Sequence, residues 1–563
     1  MKKYLSKFFV GLTLVGTPAL MSCGADYLDT NPSESISAEQ ATATAENGYQ
    51  ALNGIAKTMS TQQYAWSQGC AGENRIYAIY ENYPSQDYFY NYYASGWAPI
   101  MNLQYSLRNN TTYDVYPWFY YYTIIGQANT IIAKIDDAEG SESLKKFDKA
   151  SALTFRAYGY EKLLHYYAPR WKDSNNGAAD GVILRLDEST GGMPLSSMAD
   201  CYAQIYKDCQ EAIELFQESD FERPTNEVWI ANENVAHAVY ARAALMREDY
   251  ATALTQAKLA RAGFPLMDNT AYYSGFCRPT SEWIFGSYGD AQENMWYWSY
   301  GTQYSCNGYF ANNQPNGAGS INIDLTNQIP DNDIRKGLFL TPDKLPSFES
   351  ELPELMFVPK TPEEKVPYPY YLTYGILMKN AKDDPLWDEA DAYIEARHAI
   401  GASSMDRPYQ AEYYYVGGQL KFYVFDLPGV GYLPFIRSSE MVLIEAEANY
   451  FLGNAQAAQA SLVELNTTTD RTPGYTCTKT GNDLFQEIVN YRELELWGEG
   501  VGYSDYKRWN LPINRRSLRN GGSAADAIAV AIQANDPNWT WVIPQLETDY
   551  NDALKNPGDE NAE

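Results

Sequence analysis

Histidine and cysteine are scarce in this chain, with three and seven among 563 residues. His165, His237 and His398 fall in no H-E-x-x-H pattern, and no Cys-x-x-Cys, G-x-S-x-G or Walker sequence occurs. A transition-metal site or a serine-hydrolase reading therefore has little to stand on. Positive charge is also short: 42 Lys and Arg face 71 Asp and Glu, a formal charge of −29. Nucleic acid is a poor partner for such a surface, because few cations are present to displace its counterions. Beyond the N-terminus no apolar run approaches the roughly 20 residues of a membrane-spanning helix.

What the chain does hold is apolar material for a sizeable core, 45% hydrophobic residues, and an aromatic surplus of 49 Tyr, 20 Phe and 13 Trp. That surplus exceeds what a core needs and places some rings at the surface. Residues 1–22 read as a secretory signal, with basic Lys2, Lys3 and Lys7 ahead of an apolar stretch from Phe8 to Leu20. Leu20-Met21-Ser22-Cys23 has the form of a bacterial lipobox, which makes Cys23 the lipidation site. An ordinary cleavable signal with an incidental cysteine is the plainer alternative. Multiple acyl chains on one cysteine give stable membrane anchoring. The six other cysteines are too sparse for a stapled scaffold and predict at most one or two bridges. Cys201 and Cys209 stand two turns apart on one expected helix, too distant to pair with each other.

A polar leader, 23–36, precedes a helix opened by the capping pattern Ser37/Gln40, with apolar residues from Ala41 to Met59 at helical spacing. Further amphipathic helices are predicted near 117–135, 148–167, 200–217, 232–247, 250–262, 438–452, 455–466 and 483–497. Two stretches share a plan: Ala238, Ala241, Ala244 and Leu245 before a tight turn and Ala253, Leu254, Ala257; and Glu445, Ala446, Ala448, Leu452 before Gly453 and Ala457, Ala458, Leu462. Both resemble tetratricopeptide units, in which small residues let paired helices approach closely. Plain Ala-rich hairpins without a superhelix are the other reading. The span 264–436 is rich in Gly, Pro, Asn and aromatics, with the short strand-like run Lys421–Phe425, and reads as a loop-rich lobe. The expected fold is mainly α, a tetratricopeptide-like helical-repeat scaffold with an irregular loop-rich lobe and a few short strands. Its regions are 37–263, the lobe 264–436, and a C-terminal region 437–563.

The C-terminal region carries Arg492-Glu493-Leu494-Glu495-Leu496-Trp497-Gly498-Glu499-Gly500 and then Asp505-Tyr506-Lys507-Arg508-Trp509. This resembles the E-R-x-x-E-L-x-x-E-G-x-R-x-x-D-L-x-R-W motif of the SusD/RagB family. Tyr491 stands where the family has its first Glu, and Gly502 where it has its middle Arg. The leader Cys23 … Asp26-Tyr27-Leu28-Asp29 … Pro32 and the ending Trp541-Val542-Ile543-Pro544 are similar to the family's as well. The resemblance implies a non-enzymatic surface lipoprotein of the outer membrane, facing outward, that binds oligosaccharide over a SusC-like TonB-dependent transporter. A peptide-binding member of the same scaffold is the alternative, and a glycoside hydrolase a weaker third.

A neutral oligosaccharide presents C–H faces ringed by hydroxyls, so its site needs flat rings with an amide, hydroxyl or Arg fringe. Two windows supply that mixture. From the first come Asn74, Arg75, Tyr88 and Trp97; from the second come Trp283, Trp296, Trp298, Tyr300 and Tyr304. Trp296 and Trp298 would share one side of an extended segment. The run Tyr116–Tyr122 follows a helical pattern and reads as core. Glu495 and Glu499 mimic a general acid and base, but glycosidases need carboxyls roughly 5 to 9.5 Å apart across an open cleft. Arg492 and Arg508 nearby point instead to structural ion pairs. No cofactor is expected; acidic loops such as Asp331-Asn332-Asp333 suit calcium, though no site is placed there.

Overall fold

A computed structural model describes residues 38–63, 66, 69–90, 97–273, 276, 278–289, 300, 319–339, 376–378, 413–415, 419, 421, 422, 432–517, 522, 524 and 526–554. Six of its longer helices begin where a side chain satisfies one of the first free N–H groups. Helix α1 (Ala45–Thr58) is capped by Thr44, which accepts from the Asn47 N–H. Helix α2 (Thr112–Lys134) opens on a reciprocal box in which Thr111 and Asp114 satisfy each other's backbone. Ser141, Ser197, Asn232 and Asp249 cap α3 (Glu142–Tyr167), α4 (Met198–Glu218), α5 (Glu233–Met246) and α6 (Tyr250–Ala260). Then come α7 (Ser438–Phe451), α8 (Ala455–Thr467), α9 (Gly481–Glu495), α10 (Gly502–Trp509) and α11 (Gln545–Tyr550). The expected helices are present, with ends moved mostly by a few residues, as capping rather than periodicity sets the ends.

Helix α3 is the central post: nearly every residue from Asp148 to Tyr167 is buried, and α1, α2, α4 and α5 pack around it. The run Tyr116–Tyr122 is mostly core, as its helical pattern predicts; Tyr116, Trp118, Tyr120 and Tyr121 are fully buried. The two Ala-rich pairs form hairpins, α5–α6 and α7–α8, and α6 packs against α7. Buried Ala241, Ala244, Ala253 and Ala257 allow the close approach. Each hairpin turns through a left-handed residue, Glu248 in one and Gly453 in the other. Ion pairs lock hairpin to hairpin: Arg242 to Glu440 at 2.6 Å, and Arg261 to both Glu445 and Glu464 at 2.6 Å.

Strands are short and come in antiparallel pairs. β1 (Tyr88–Tyr90) pairs with β3 (Gly319–Ile321), β2 (Trp283–Gly286) with β6 (Pro434–Arg437), β4 (Ile376–Met378) with β5 (Tyr413–Tyr415), and β7 (Ile513–Asn514) with β8 (Ala531–Ile532). The span 264–436, read from sequence as a separate lobe, is thus laced by its described parts into both flanking regions. Lys421 and Phe422, expected in a strand, lie in a buried turn; the rest of that run lies outside the described residues. Cys70, Cys201, Cys209 and Cys477 are free thiols, with Cys201 and Cys209 both on α4; Cys277 and Cys306 lie outside the described residues. No described helix is long and apolar enough to cross a membrane.

Candidate functional site

A candidate site grows from one tight turn. Gly72 adopts φ 57°, where a Cβ would sit 2.1 Å from the Met59 carbonyl oxygen, so only glycine fits. Its N–H donates to the Tyr116 hydroxyl at 2.9 Å, and the next N–H, of Glu73, donates to Met59 O at 2.8 Å. The Glu73 carboxyl is fully buried and accepts from the Tyr120 and Tyr121 hydroxyls at 3.2 and 3.4 Å. Burial raises its pKa to about 7, against the opposing pull of Lys162 and the tyrosines. So anchored, the turn sends Arg75 outward, its guanidinium 5.6 Å from the ring centres of both Tyr113 and Tyr116. Its Nη1 donates to Gly69 O at 3.3 Å, and its buried Nε has no hydrogen-bond partner.

From Tyr113, half-buried at the start of α2, a line of rings runs in two directions. On one side Trp97 meets it edge-on at 5.9 Å, with Tyr83 behind; on the other Tyr105 stacks on it at 5.2 Å and 10°. The Arg108 guanidinium caps Tyr105 at 4.8 Å. Trp97, Tyr105 and Tyr113 are all partly exposed, and among the described residues no carboxylate pairs with Arg75 or Arg108. Arg515 fixes the backbone beneath: its buried guanidinium donates to the carbonyls of Tyr83, Ser85 and Met101. Burial outweighs the attraction of Asp87 and lowers its pKa to about 10. The array offers apolar ring faces beside guanidinium donors, chemistry suited to an uncharged polyhydroxyl ligand.

The sequence-predicted residues divide by burial. Trp97 and Arg75 join the array. Asn74 does not: it is 4% exposed, and its Oδ1 accepts the Tyr300 N–H at 2.9 Å. Tyr300, 2% exposed, receives Asn82 Nδ2 on its hydroxyl and packs on Phe422 at 4.7 Å. The two sequence windows do meet at Asn74 and Tyr300, but in the interior. Tyr88 and Trp283 are corrected likewise. Tyr88 stacks on Trp497 at 4.8 Å, and Trp283 lies in a strand buried on both faces. Rings 1% exposed present no face to a ligand. Cys23, Trp296, Trp298 and Tyr304 lie outside the described residues. Tyr105, Tyr113 and Arg108 escaped the sequence reading, although Tyr113 lies between the capping residues Thr111 and Asp114 of α2, where the helix starts at the surface.

Glu495 and Glu499 do form structural ion pairs, but with cations other than Arg492 and Arg508. Arg492 and Arg508 pair with Asp505, at 2.6 and 2.8 Å. Glu495 instead meets Arg335 at 3.0 Å, Arg437 at 3.1 Å and Arg471 at 3.2 Å. Glu499 meets Arg437 at 2.6 Å and Lys421 at 2.5 Å, while Glu282 bridges Arg437 and Arg471 at 2.6 and 2.8 Å. Burial alone would raise the pKa of Glu495, but the three guanidiniums win and hold it below the usual range. Burial brings Lys421 down to about 8 despite Glu499. These carboxylates are closed ion pairs, with no cleft between them. Asp333 is likewise taken up by Arg335 at 2.7 Å and by Thr472 at 2.6 Å. Among the described residues no group of three or more His, Cys, Asp or Glu gathers as for a metal.

Two family models match the chain: residues 26–245 match one described as starch-binding and associating with outer membrane, and residues 427–558 match the SusD family. The chain belongs to the SusD/RagB family. Its fold is similar to that of a SusD-like carbohydrate-binding protein from Bacteroides vulgatus, at 19% identity and TM-score 0.68, over 91% of this chain and 97% of that one. A SusD superfamily protein from Bacteroides thetaiotaomicron aligns over 91% of this chain and 99% of its own, at 21% identity and TM-score 0.64. No curated protein matches. The two departures from the SusD/RagB motif have local causes. Tyr491 lies under the Arg335 guanidinium, 4.9 Å from its ring centre, replacing a carboxylate with a ring face. At Gly502 a Cβ would lie 2.6 Å from Ser85 Cβ, leaving no room for an arginine. Gly498 and Gly500, with φ 77° and 74°, lie in the turn that follows the end of α9.

Proposed function

We propose that this protein is a non-catalytic glycan receptor, lipid-anchored at Cys23 on the outward face of the outer membrane. It captures oligosaccharide and passes it to a SusC-like TonB-dependent transporter. The observation that carries this reading is the half-exposed ring line Trp97–Tyr113–Tyr105, flanked by Arg75 and Arg108 with no carboxylate against them among the described residues. Ring faces gain by covering sugar C–H surfaces, and guanidiniums with no carboxylate against them among the described residues can donate to hydroxyls that leave water. Membership in the SusD/RagB family supports the same assignment, and so does the sugar-binding description of a structural neighbour. Trp296, Trp298 and Tyr304 are proposed as further platforms from the second window.

The test is calorimetric titration of soluble protein lacking residues 1–23 with oligosaccharides of the α-glucan, β-glucan, mannan and xylan series. At least one series is expected to bind, unaltered in length after prolonged incubation, and Trp97→Ala should weaken that binding roughly tenfold. Binding to none of them, with capture of peptides from a protein digest instead, overturns the glycan reading. Release of shortened product that Glu495→Gln abolishes would overturn the non-catalytic one.

A further inference from the structure

A concavity opens beside the segment that carries Tyr105 and Tyr113. It is a groove of about 480 Å³ between the start of α2 and α11, within the range of about 300–1,000 Å³ usual for small-ligand sites. Trp66 forms one wall, half-buried and stacked on Phe119 at 5.2 Å and 18°. Asn109, Asn110 and Thr112 form the rim, all exposed, and Gln545 and Asp549 face them from α11. Val115 and Leu546 add apolar lining.

The groove is built rather than incidental. The Asn109 carbonyl accepts the Gln545 N–H at 2.6 Å, Ser106 O accepts the Val542 N–H at 2.9 Å, and Trp118 Nε1 donates to Glu547 at 3.1 Å. Those bonds fasten the C-terminal strap to the α2 region, so the walls are held before any ligand arrives. Unusual apolar exposure gathers beside it. Leu546 is 45% exposed, Tyr550, next to Asp549, 84%, and Leu107, two residues before Asn109, 49%. Among the described residues neither Lys nor Arg lines the groove and Asp549 does, which disfavours an anionic ligand. One indole face, an amide and hydroxyl fringe, and a carboxylate acceptor match a neutral sugar.

We infer that the Trp66 groove is a second glycan subsite, which engages a further stretch of the same oligosaccharide that the Trp97 array holds. The inference rests on the glycan-receptor reading, and chain length separates the two. A disaccharide fills one subsite, whereas a hexasaccharide of the same linkage reaches both and gains affinity by being tethered. Calorimetry with both lengths, from whichever of the four series binds, is run on wild type, Trp66→Ala, Asn110→Ala and Trp97→Ala. Trp66→Ala is expected to weaken the hexasaccharide roughly tenfold and leave the disaccharide within about twofold of wild type. Asn110→Ala should move the hexasaccharide in the same direction by a smaller factor. Circular dichroism checks folding, and should Trp66→Ala misfold, Asn110→Ala alone decides. If both groove variants bind both lengths as wild type does while Trp97→Ala still weakens binding, the groove inference is overturned and the receptor reading stands. Absence of binding in all series overturns both.

Discussion

Guanidiniums lie over aromatic rings in several regions of this protein, and two of those regions have opposite outcomes. In the C-terminal cluster Arg335 covers Tyr491, Arg437 covers Phe276 and Arg471 covers Tyr272, each at 4.9 Å. In the N-terminal array Arg75 covers Tyr113 at 5.6 Å and Arg108 covers Tyr105 at 4.8 Å. The first three arginines also hold Glu282, Glu495, Glu499 and Asp333 and are fully enclosed. The second two hold no carboxylate among the described residues and lie beside partly exposed rings. A cation on a ring becomes scaffold when acids close it off; the pair left open is the one we propose for ligand binding.

The sharpest way to break this contrast is Arg437→Met. It leaves Glu282, Glu495 and Glu499 short of their shared counter-charge, and removal of one member of a buried pair costs about 3–5 kcal/mol. Urea denaturation should show at least that loss, and a change under 1 kcal/mol (roughly the worth of a surface pair) would mean the cluster is not structural. Gly72→Ala probes the other region. Forcing a Cβ against the Met59 carbonyl at φ 57° should cost about 1–3 kcal/mol. It should also disturb the presentation of Arg75, so stability and ligand affinity fall together.

Asp148 is an acid of a third kind, buried on α3 with neither oxygen hydrogen-bonded. Burial first, then the charge of Glu46, raises its pKa from 3.8 to about 8. Because the folded state holds this proton more tightly than the unfolded chain, its contribution is complete below the unfolded value and drains away as pH climbs toward about 8. Relative to Asp148→Asn, wild type should therefore lose about 1.4 kcal/mol per pH unit across that window. Melting curves of the two proteins at pH 5.5 and 7.5 check this; parallel pH dependence would refute it. Arg75→Lys is the mildest change. A lysine keeps the charge but not the flat fork, so binding of a glycan that depends on Trp97 should weaken severalfold with stability nearly unchanged.

Much of this architecture was legible in the chain because helices advertise themselves over many residues. The periodic runs around 117–135 and 148–167 and the paired Ala-rich stretches correspond to α2, α3 and the two hairpins. The motif from Arg492 to Trp509 identified the family. Partners were harder to read. Arg335 and Arg437 reach Glu495 across separations of 160 and 58 residues, and no local pattern encodes such pairings. Inward and outward rings were equally hidden: Tyr88 and Trp97 sit in one aromatic stretch, yet a strand pairing with Gly319–Ile321 draws the first inside and a short helix beginning at Ala98 leaves the second at the rim. Tyr113 illustrates the converse: spaced i, i+3 and i+7 with the buried Tyr116 and Tyr120 it shares their helix face, yet it stays half-buried because it stands in the first turn of α2.

The ionic cluster takes single side chains from points scattered between Glu282 and Glu499. Such a keystone asks little of the stretches that join its stones. A change of length or composition in those stretches leaves the buried charges of the frame where they are.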